Sequence, residues 1–405
     1  MASIFQRGGS YSVVYTLSSD GMRKQKWETY HTHQEAEHRK EQVELYLNYQ
    51  KKRIVHNIGT VEQLMDTYVR LYGLSKWTMS TYDGNTALIR NYIVPFMGKM
   101  RLYELSPRVA AELYRRLLEL PQIDIPYHRS KGNRLTPRTL ESIHKLLHSA
   151  FEQAVLWECI PTNPFHKTAV PKTRAQKPQI LSAAQIKTLL QNCDNPHLRI
   201  AIHLAISGSL RKGEILGLTW NDVNFKESSI HICKSLSRVS REAYLSVDKR
   251  DVIYEFPSIL SSDKTVVVLK SPKTESSSRE VYLPEYVLDE LSDLKKVQKC
   301  SKKKCPYPDM VFKYPDGRPM LDSTLNYHFK NLLIKKGVPI VTFHSIRHSS
   351  ITYKLVLSHG NIKAVQGDSG HAQAEMITEL YSHILDECRK ETAIRFEKAF
   401  YQDFR

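Results

Sequence analysis

Residues 208–218 read GSLRKGEILGL and residues 343–348 read FHSIRH. In the first stretch Arg211 stands at the first turn of a helix, just after a Gly-Ser break. Glu214 follows three residues on and shares its helical face, where a carboxylate can hold a guanidinium in one orientation. Taken alone, that pattern is also an ordinary surface ion pair. In the second stretch His344 and Arg347 are three apart, so an imidazole and a guanidinium aim the same way and form a site for an oxyanion. Between them, residues 271–284, SPKTESSSREVYLP, read as two strands joined by a polar turn, with Lys273 at its mouth. From there an ammonium can reach a phosphate ester oxygen and donate a proton. Beyond them Gly370-His371 is followed ten residues later by Tyr381, in ELYSH. A tyrosine at that spacing means nothing by itself in a chain with 22 of them; the order Arg, Lys, His-x-x-Arg, His, Tyr is what is specific.

Charge narrows the partner. The 59 Lys and Arg outnumber the 42 Asp and Glu, for a net +17. The excess is spread over residues 1–57, 58–178 and 179–405 alike. Such a balance favours a long polyanion, with nucleic acid the default, against the plainer alternative of a solvated basic surface. The 405 residues suggest two or three domains, and 41% hydrophobic residues suffice for proper cores. No apolar run approaches the roughly 20 residues that span a bilayer. The opening MASIFQRGGS has no apolar secretory core, and six cysteines make no disulfide framework. The expectation is a cytoplasmic protein without a membrane partner.

Residues 1–57 predict a small sheet followed by a helix. Strands are expected around Tyr11–Tyr15 and Lys24–Tyr30, with Asp20-Gly21 as the hairpin turn. Thr32 and Glu35 form a capping box opening a charged helix to about Arg53. Residues 58–165 predict four helices. The first opens at Thr60 with Gln63, the second runs from about Met79 to Val94 and stops at Pro95 and Gly98, and the others start at Ser106-Pro107 and Thr136-Pro137. A long basic loop spans 121–135. Residues 164–178, with a linker proper at 166–178, are proline-punctuated, basic and without an acid, as expected of an exposed connection crossing a phosphate surface. From Ser182 helices resume, with short strands at 229–233, 264–270 and 279–283, then helices again over 179–405. The expected class is therefore multidomain: small α+β, then all-α, then mainly α with a small antiparallel sheet. Cys300 and Cys305 flank lysines with no second ligand pair nearby, so they read as a basic loop rather than a zinc site.

On these residues the sequence resembles the tyrosine recombinases, the phage integrase family, over its whole length. Gly367–His371 with Tyr381-Ser-His383-Ile is most similar to integrases of conjugative transposons from Gram-positive bacteria. The resemblance implies an arm-type DNA-binding domain at 1–57, a core-binding domain at 58–165 and a catalytic domain at 179–405. It implies a site-specific enzyme that excises and integrates a mobile element through a 3′-phosphotyrosine. It assigns Tyr381 as nucleophile, Arg211 and Arg347 as the clamp on the scissile phosphate, and Lys273 as general acid. His344 and His371 would bond the phosphate or assist proton transfer, with Glu214 buttressing the first arginine. An insertion from about Ser235 to Lys264 departs from minimal family members and leaves Lys264 and Lys270 as rivals to Lys273. Tyr401 is the first alternative to Tyr381.

The chemistry agrees with these roles. Charge grows on the non-bridging oxygens during attack, where two arginines supply planar donors. A phenol with pKa near 10 must lose its proton to attack, and the leaving 5′ oxygen must gain one. There is no GxxxxGK[ST] loop and no acidic cluster suited to two metals, so no cofactor and no metal are expected. The implied partners are duplex DNA at core and arm sites and three further copies of the chain in a tetramer on DNA. An excisionase and a host DNA-bending protein are implied as accessories, and no membrane. The C-terminal segment 386–405 reads as a helix expected to dock on a neighbouring protomer. Alternatives are a non-catalytic architectural protein on the same fold and a type IB topoisomerase-like enzyme.

Overall fold

A computed structural model describes the chain apart from residues 1–2, 20–21, 55–57, 121–133, 171–178, 259–262, 273–276, 300–306, 371–392 and 398–405. Several expectations fall outside the described residues: the Asp20-Gly21 turn, most of the 121–135 loop, the Cys300–Cys305 loop and most of the C-terminal segment. The described chain forms two compact units, Met1–Gly73 with Asn85–Thr173, and Leu74–Gly84 with Arg174–Arg405. It is multidomain and largely helical, with small antiparallel sheets. Among the described residues no helix is long and apolar enough to cross a membrane.

The first unit begins with an antiparallel meander of Ser3–Arg7, Ser10–Ser19 and Met22–Tyr30. Its first strand is not foreseen from the sequence. It is an edge strand, almost wholly exposed, so it carries no alternation of apolar and polar residues. The turn before the second strand is Gly8-Gly9, both at positive φ (50° and 94°), as a tight hairpin requires. Helix His33–Ile54 covers one face of the sheet, packing Ala36 and Val43 on Val13 and Tyr15. Its capping box is formed, Glu35 N donating to Thr32 Oγ1 and Thr32 N to the Glu35 carboxylate.

The same unit holds helices Val61–Tyr68, Pro107–Glu119 and Pro137–Leu156. Leu64, Met65, Leu117, Leu140, Leu147 and Phe151 are fully buried. Buried hydroxyls find partners: Tyr68 Oη meets Ser149 Oγ at 2.6 Å and Tyr114 Oη meets His144 Nδ1 at 2.7 Å. Two expectations need correction. The helix from Met79 does not stop at Pro95. Residues Ile89–Ile93 widen into a π-type turn and Val94–Met97 continues the helix, with Pro95 in its first turn, where a missing N–H costs little. Gly98 N then closes on the Val94 carbonyl at 2.9 Å. Nor is the segment from Pro164 wholly exposed: Phe165 is fully buried against Tyr114 and Phe151.

In the second unit one apolar core joins helices Ala183–Gln191, Pro196–Ser207, Glu285–Lys299 and Asp322–Lys335 to two sheets. One sheet orders Val223–Asn224, Ser229–Ile232 and Arg279–Tyr282. The other orders Ser235–Ser240, Thr265–Lys270 and Val252–Phe256, with the short helix Arg241–Ser246 between strands. The strands flanking Lys273 are therefore not a hairpin. Thr265–Lys270 belongs to one sheet, and Arg279–Tyr282 pairs with Ser229–Ile232 in the other. The 235–264 insertion supplies two strands of its own, and their mixed polar sequence hides them. Residues 393–397, in the C-terminal segment, are helical and exposed.

Candidate active site

Helix Lys212–Leu216 is five residues long and starts at Arg211. Its sequence, KGEIL followed by Gly217, explains how a strand can cross it. A Cβ on Gly213 would lie 2.6 Å from Ser235 Oγ, and one on Gly217 would lie 2.8 Å from the Leu236 nitrogen. Glycine at both positions lets strand Ser235–Ser240 pass directly over the helix.

Glu214 is 7% exposed. It closes a capping box on Arg211, accepting from its backbone nitrogen at 2.9 Å and from Nη1 at 2.8 Å. A second arginine shares it. Arg279 Nη2 and Nη1 donate to Glu214 at 2.9 and 3.3 Å, while Arg279 Nε donates to the Asp368 carbonyl at 2.8 Å. Burial opposes ionisation of Glu214, but the Arg279 hydrogen bonds and charge, helped by Arg211, hold its carboxyl below the usual range. Arg279 is part of a motif quoted from the sequence, yet nothing in that motif reveals a partner 65 residues away.

Helix His344–Leu357 delivers Arg347, which is 1% exposed. Its guanidinium donates to the Ser209 carbonyl and, at 2.7 Å, to the Ser369 carbonyl. Arg211 Nη2 donates to the next carbonyl, Gly370, at 3.0 Å. Two arginines from distant parts of the chain thus converge on consecutive carbonyls at the end of helix Ile362–Ser369. Two backbone features make this possible. Ser209 adopts φ 53°, with its hydroxyl 2.6 Å from Ser350 Oγ. Gly370 adopts φ 61°, and a Cβ there would lie 2.9 Å from Arg279 Nη1. A left-handed residue other than glycine costs about 1–2 kcal/mol, so Ser209 is a local strain held by its surroundings.

His344 begins the same helix and packs edge-on against His348, ring centroids 4.6 Å apart. Desolvation, with the charges of Arg347, Arg211 and Lys212 and the neighbouring His348, pushes its pKa down to about 4. That leaves the imidazole neutral at pH 7. A bound phosphodiester would offset the surrounding positive charge and favour the imidazolium.

Beside Arg211 and Glu214 opens a cavity of about 400 Å³, also lined by Lys234, Ser235, Lys270 and Ser277. Lys270, a rival in the sequence, faces this cavity. Lys264, the other rival, is exposed and immediately precedes the opposite end of the strand Thr265–Lys270, about 20 Å away at roughly 3.3 Å per residue. Lys234 was missed. It lies two residues past Ser229–Ile232, the true partner of Arg279–Tyr282, and forms a short ion pair with Asp222. Burial alone would lower the Lys234 pKa, but Asp222 raises it overall. Lys273, His371 and Tyr381 lie outside the described residues, as does Tyr401.

Comparison with known proteins identifies the family. Residues 179–387 match the model of the phage integrase family, and residues 60–118 match a phage integrase N-terminal SAM-like domain. A tyrosine recombinase XerC-like protein of Caldanaerobacter subterraneus subsp. tengcongensis is 24% identical, over 93% of this chain and 92% of its own length. An integrase of Saccharopolyspora erythraea is 21% identical, over 87% of this chain and 89% of its own. The fold is similar to that of the Tn1549 transposon integrase in complex with a circular intermediate DNA, with TM-score 0.66 and 22% identity over 84% of this chain and 99% of that one. It is also similar to a lambda integrase tetramer bound to a Holliday junction, with TM-score 0.54 and 15% identity over 93% and 94% of the two chains. With more than half of its length matched by the family model, this chain belongs to the phage integrase family of tyrosine recombinases.

Proposed function

We propose that this recombinase is the integrase of a mobile element, cutting and rejoining duplex DNA through a 3′-phosphotyrosine at Tyr381. The observation that carries the proposal is the convergence of Arg211 and Arg347 on the adjacent carbonyls of Ser369 and Gly370, over a buried Glu214 that two arginines share. One carboxylate cannot neutralise three guanidiniums, and a scissile phosphodiester is the anion that completes the balance. In the step proposed, the Tyr381 oxygen bonds to phosphorus, the bond to the 5′ oxygen breaks, and that oxygen takes a proton. His344 and His371 bond the phosphate or move protons. The phosphotyrosine conserves the bond energy, so rejoining needs neither nucleotide nor metal.

The donor of that proton is a lysine of the cavity beside Arg211. Lys273 keeps the place the sequence gives it, with Lys270 and Lys234 as the competitors that line the cavity. In the proposed division of labour, 179–405 cuts, 58–165 grips the core site and 1–57 reads arm sites, joined through the 166–178 linker. The exposed, stacked pair Phe5 and Trp27 on the first sheet supports a binding face there. Four protomers would assemble on two duplexes in the bacterial cytoplasm, with an excisionase and a host DNA-bending protein as accessories.

The test is incubation with nicked duplexes carrying candidate element ends, in EDTA and without nucleotide, followed by denaturing gels. A covalent protein–DNA adduct is expected; its absence on every duplex that the protein binds specifically would overturn the proposal. The lysine is settled by a substrate with sulfur at the 5′ bridging position, whose thiolate leaves without a proton. General acid catalysis contributes about 100- to 10,000-fold. The alanine variant of the true donor, among Lys234, Lys270 and Lys273, should lose that factor on ordinary DNA and recover it on the sulfur substrate. If none of the three recovers, a lysine donor is excluded.

A further inference from the structure

Helix Pro137–Leu156 carries His144, His148 and Glu152 at successive four-residue steps, and so along one face. Two residues beyond Asn163, past the end of this helix, the chain is pinned again: Phe165 is fully buried, and its nitrogen donates to Asn163 Oδ1 at 2.9 Å. That anchor sets His166 over the helix, its ring stacked on His148 with centroids 5.7 Å apart. His148 Nε2 and His166 Nδ1 each lie 3.7 Å from the same Glu152 oxygen. The three ligand-type atoms all fall within 4.8 Å of one another.

Those separations are too long for hydrogen bonds. They are close to the edge of a tetrahedron of ligands about 2.1 Å from a central ion, which is about 3.4 Å. Two imidazoles drawn to one carboxylate without bonding to it describe a gap that an ion fills. The supporting shell is also present. Asn163 Nδ2 donates to Glu152 Oε1 at 2.7 Å and to the His148 carbonyl at 3.0 Å, fixing the carboxylate relative to the helix. Outer-shell bonds of this kind orient metal ligands. His144, one turn earlier, stands outside the set, with its Nδ1 engaged by Tyr114 Oη at 2.7 Å.

We propose that His148, Glu152 and His166 bind one zinc-class divalent cation, with water completing the coordination. Two imidazole nitrogens and a carboxylate suit a borderline ion such as Zn²⁺ and not Mg²⁺, which prefers an all-oxygen shell. All three side chains are partly exposed, so the ion enters without unfolding. Bound, it cross-links the end of the long helix to the segment that leads towards 170. The site is distinct from the residues that handle the phosphate, and strand cleavage does not pass through it.

The test uses the full chain, stripped of metal and titrated with Co²⁺ as a spectroscopic probe and with Zn²⁺ by calorimetry. The unmodified protein should bind one ion per chain at this site, give cobalt d–d absorption with charge-transfer from nitrogen ligands, and melt higher with Zn²⁺ but not with Mg²⁺. His166→Gln and Glu152→Gln should each weaken Zn²⁺ binding at least tenfold and abolish the zinc-dependent melting shift. Their melting temperatures without metal should stay near that of the unmodified chain, because the apolar core around Phe165 is intact. With 17 histidines in the chain, binding elsewhere is the rival outcome. Unchanged affinity and unchanged cobalt spectra in both variants would overturn the proposal, as would failure of the unmodified chain to bind Zn²⁺.

Discussion

Glu28 and Glu214 both hold arginines, and they do so to different ends. Glu28, in the first sheet, accepts from Tyr15 Oη at 2.7 Å, from Tyr30 Oη at 2.9 Å and from Arg39 Nε at 2.7 Å. One acid meets one guanidinium, the charges cancel, and a helix is fastened to a sheet. Glu214 is more deeply buried and meets two guanidiniums, with Arg347 tethered to the neighbouring backbone. There the positive charge exceeds the negative. A fold has no structural reason to gather excess charge of one sign in a desolvated place, because burial makes the excess costly. In the proposed function a phosphate anion completes the surplus at Glu214, whereas the balanced pair at Glu28 is architecture.

The sharpest way to break that contrast is to remove the proposed nucleophile. Tyr381→Phe should form no covalent adduct at all while binding DNA as before, because only the phenolic oxygen can attack. Denaturing gels beside a binding titration check it, and an undiminished adduct would move the nucleophile to another tyrosine, Tyr401 first. Next in size are Arg211→Ala and Arg347→Ala. Each removes donors that matter most as charge develops, and loss of one preorganised donor costs about 100- to 1000-fold. Cleavage rates should fall by that order with a much smaller change in binding. If rate and affinity fell equally, the arginines would only position DNA.

Glu214→Gln tests the contrast from the acid's side. It keeps the shape and removes the charge that Arg211 and Arg279 share. Taking one partner from a buried pair costs about 3–5 kcal/mol, so a clear drop in melting temperature should accompany a fall in cleavage of about tenfold or more. The signature sought is that DNA affinity does not fall with them, since the surplus positive charge grows. A Glu214→Gln protein that cleaves at the normal rate would show that the acid does not orient Arg211.

Much of this site is legible in sequence because its parts are local. Arg211 with Glu214, and His344 with Arg347, are each one helical turn apart, and their chain order is a fingerprint. What is hidden is long-range. Nothing near Arg279 announces Glu214, and nothing near Lys234 says that Ser229–Ile232 pairs with Arg279–Tyr282 and not with Thr265–Lys270. Sheet partners are set by the tertiary core, and an insertion of polar strands between two true partners misleads a local reading. The same holds at the start of the chain, where Ser3–Arg7 borrows its structure from its neighbour and exposes nearly every side chain. Helix starts are legible, since Thr60, Ser106, Thr136 and Ser182 all cap as their sequences predict. The continuation past Pro95 is not, because a π-type turn moves the proline to a position where it is harmless.

The smallest expected effect belongs to Glu28→Gln. Hydrogen bonds from Arg39 and Tyr15 hold the Glu28 carboxyl down to about 2. A carboxylate with a lowered folded-state pKa contributes stability that is present above its unfolded value, near 4.5, and is lost as pH falls towards 2. At pH 7 the contribution is fully present, but Glu28 and Arg39 are both partly exposed, and exposed pairs contribute about 0.2–1 kcal/mol. The tyrosine bonds survive in part, because an amide oxygen still accepts. Glu28→Gln should therefore lower the melting temperature by a few degrees at pH 7 and by progressively less as pH falls from 4.5, where the unmodified chain loses the same bond. Cleavage of a core site should not change. Melting curves from pH 7 to pH 3, with adduct formation measured at pH 7, check both halves. A loss of core cleavage comparable to that of Glu214→Gln would mean that the balanced pair also serves the chemistry, and the contrast between architecture and site would fail.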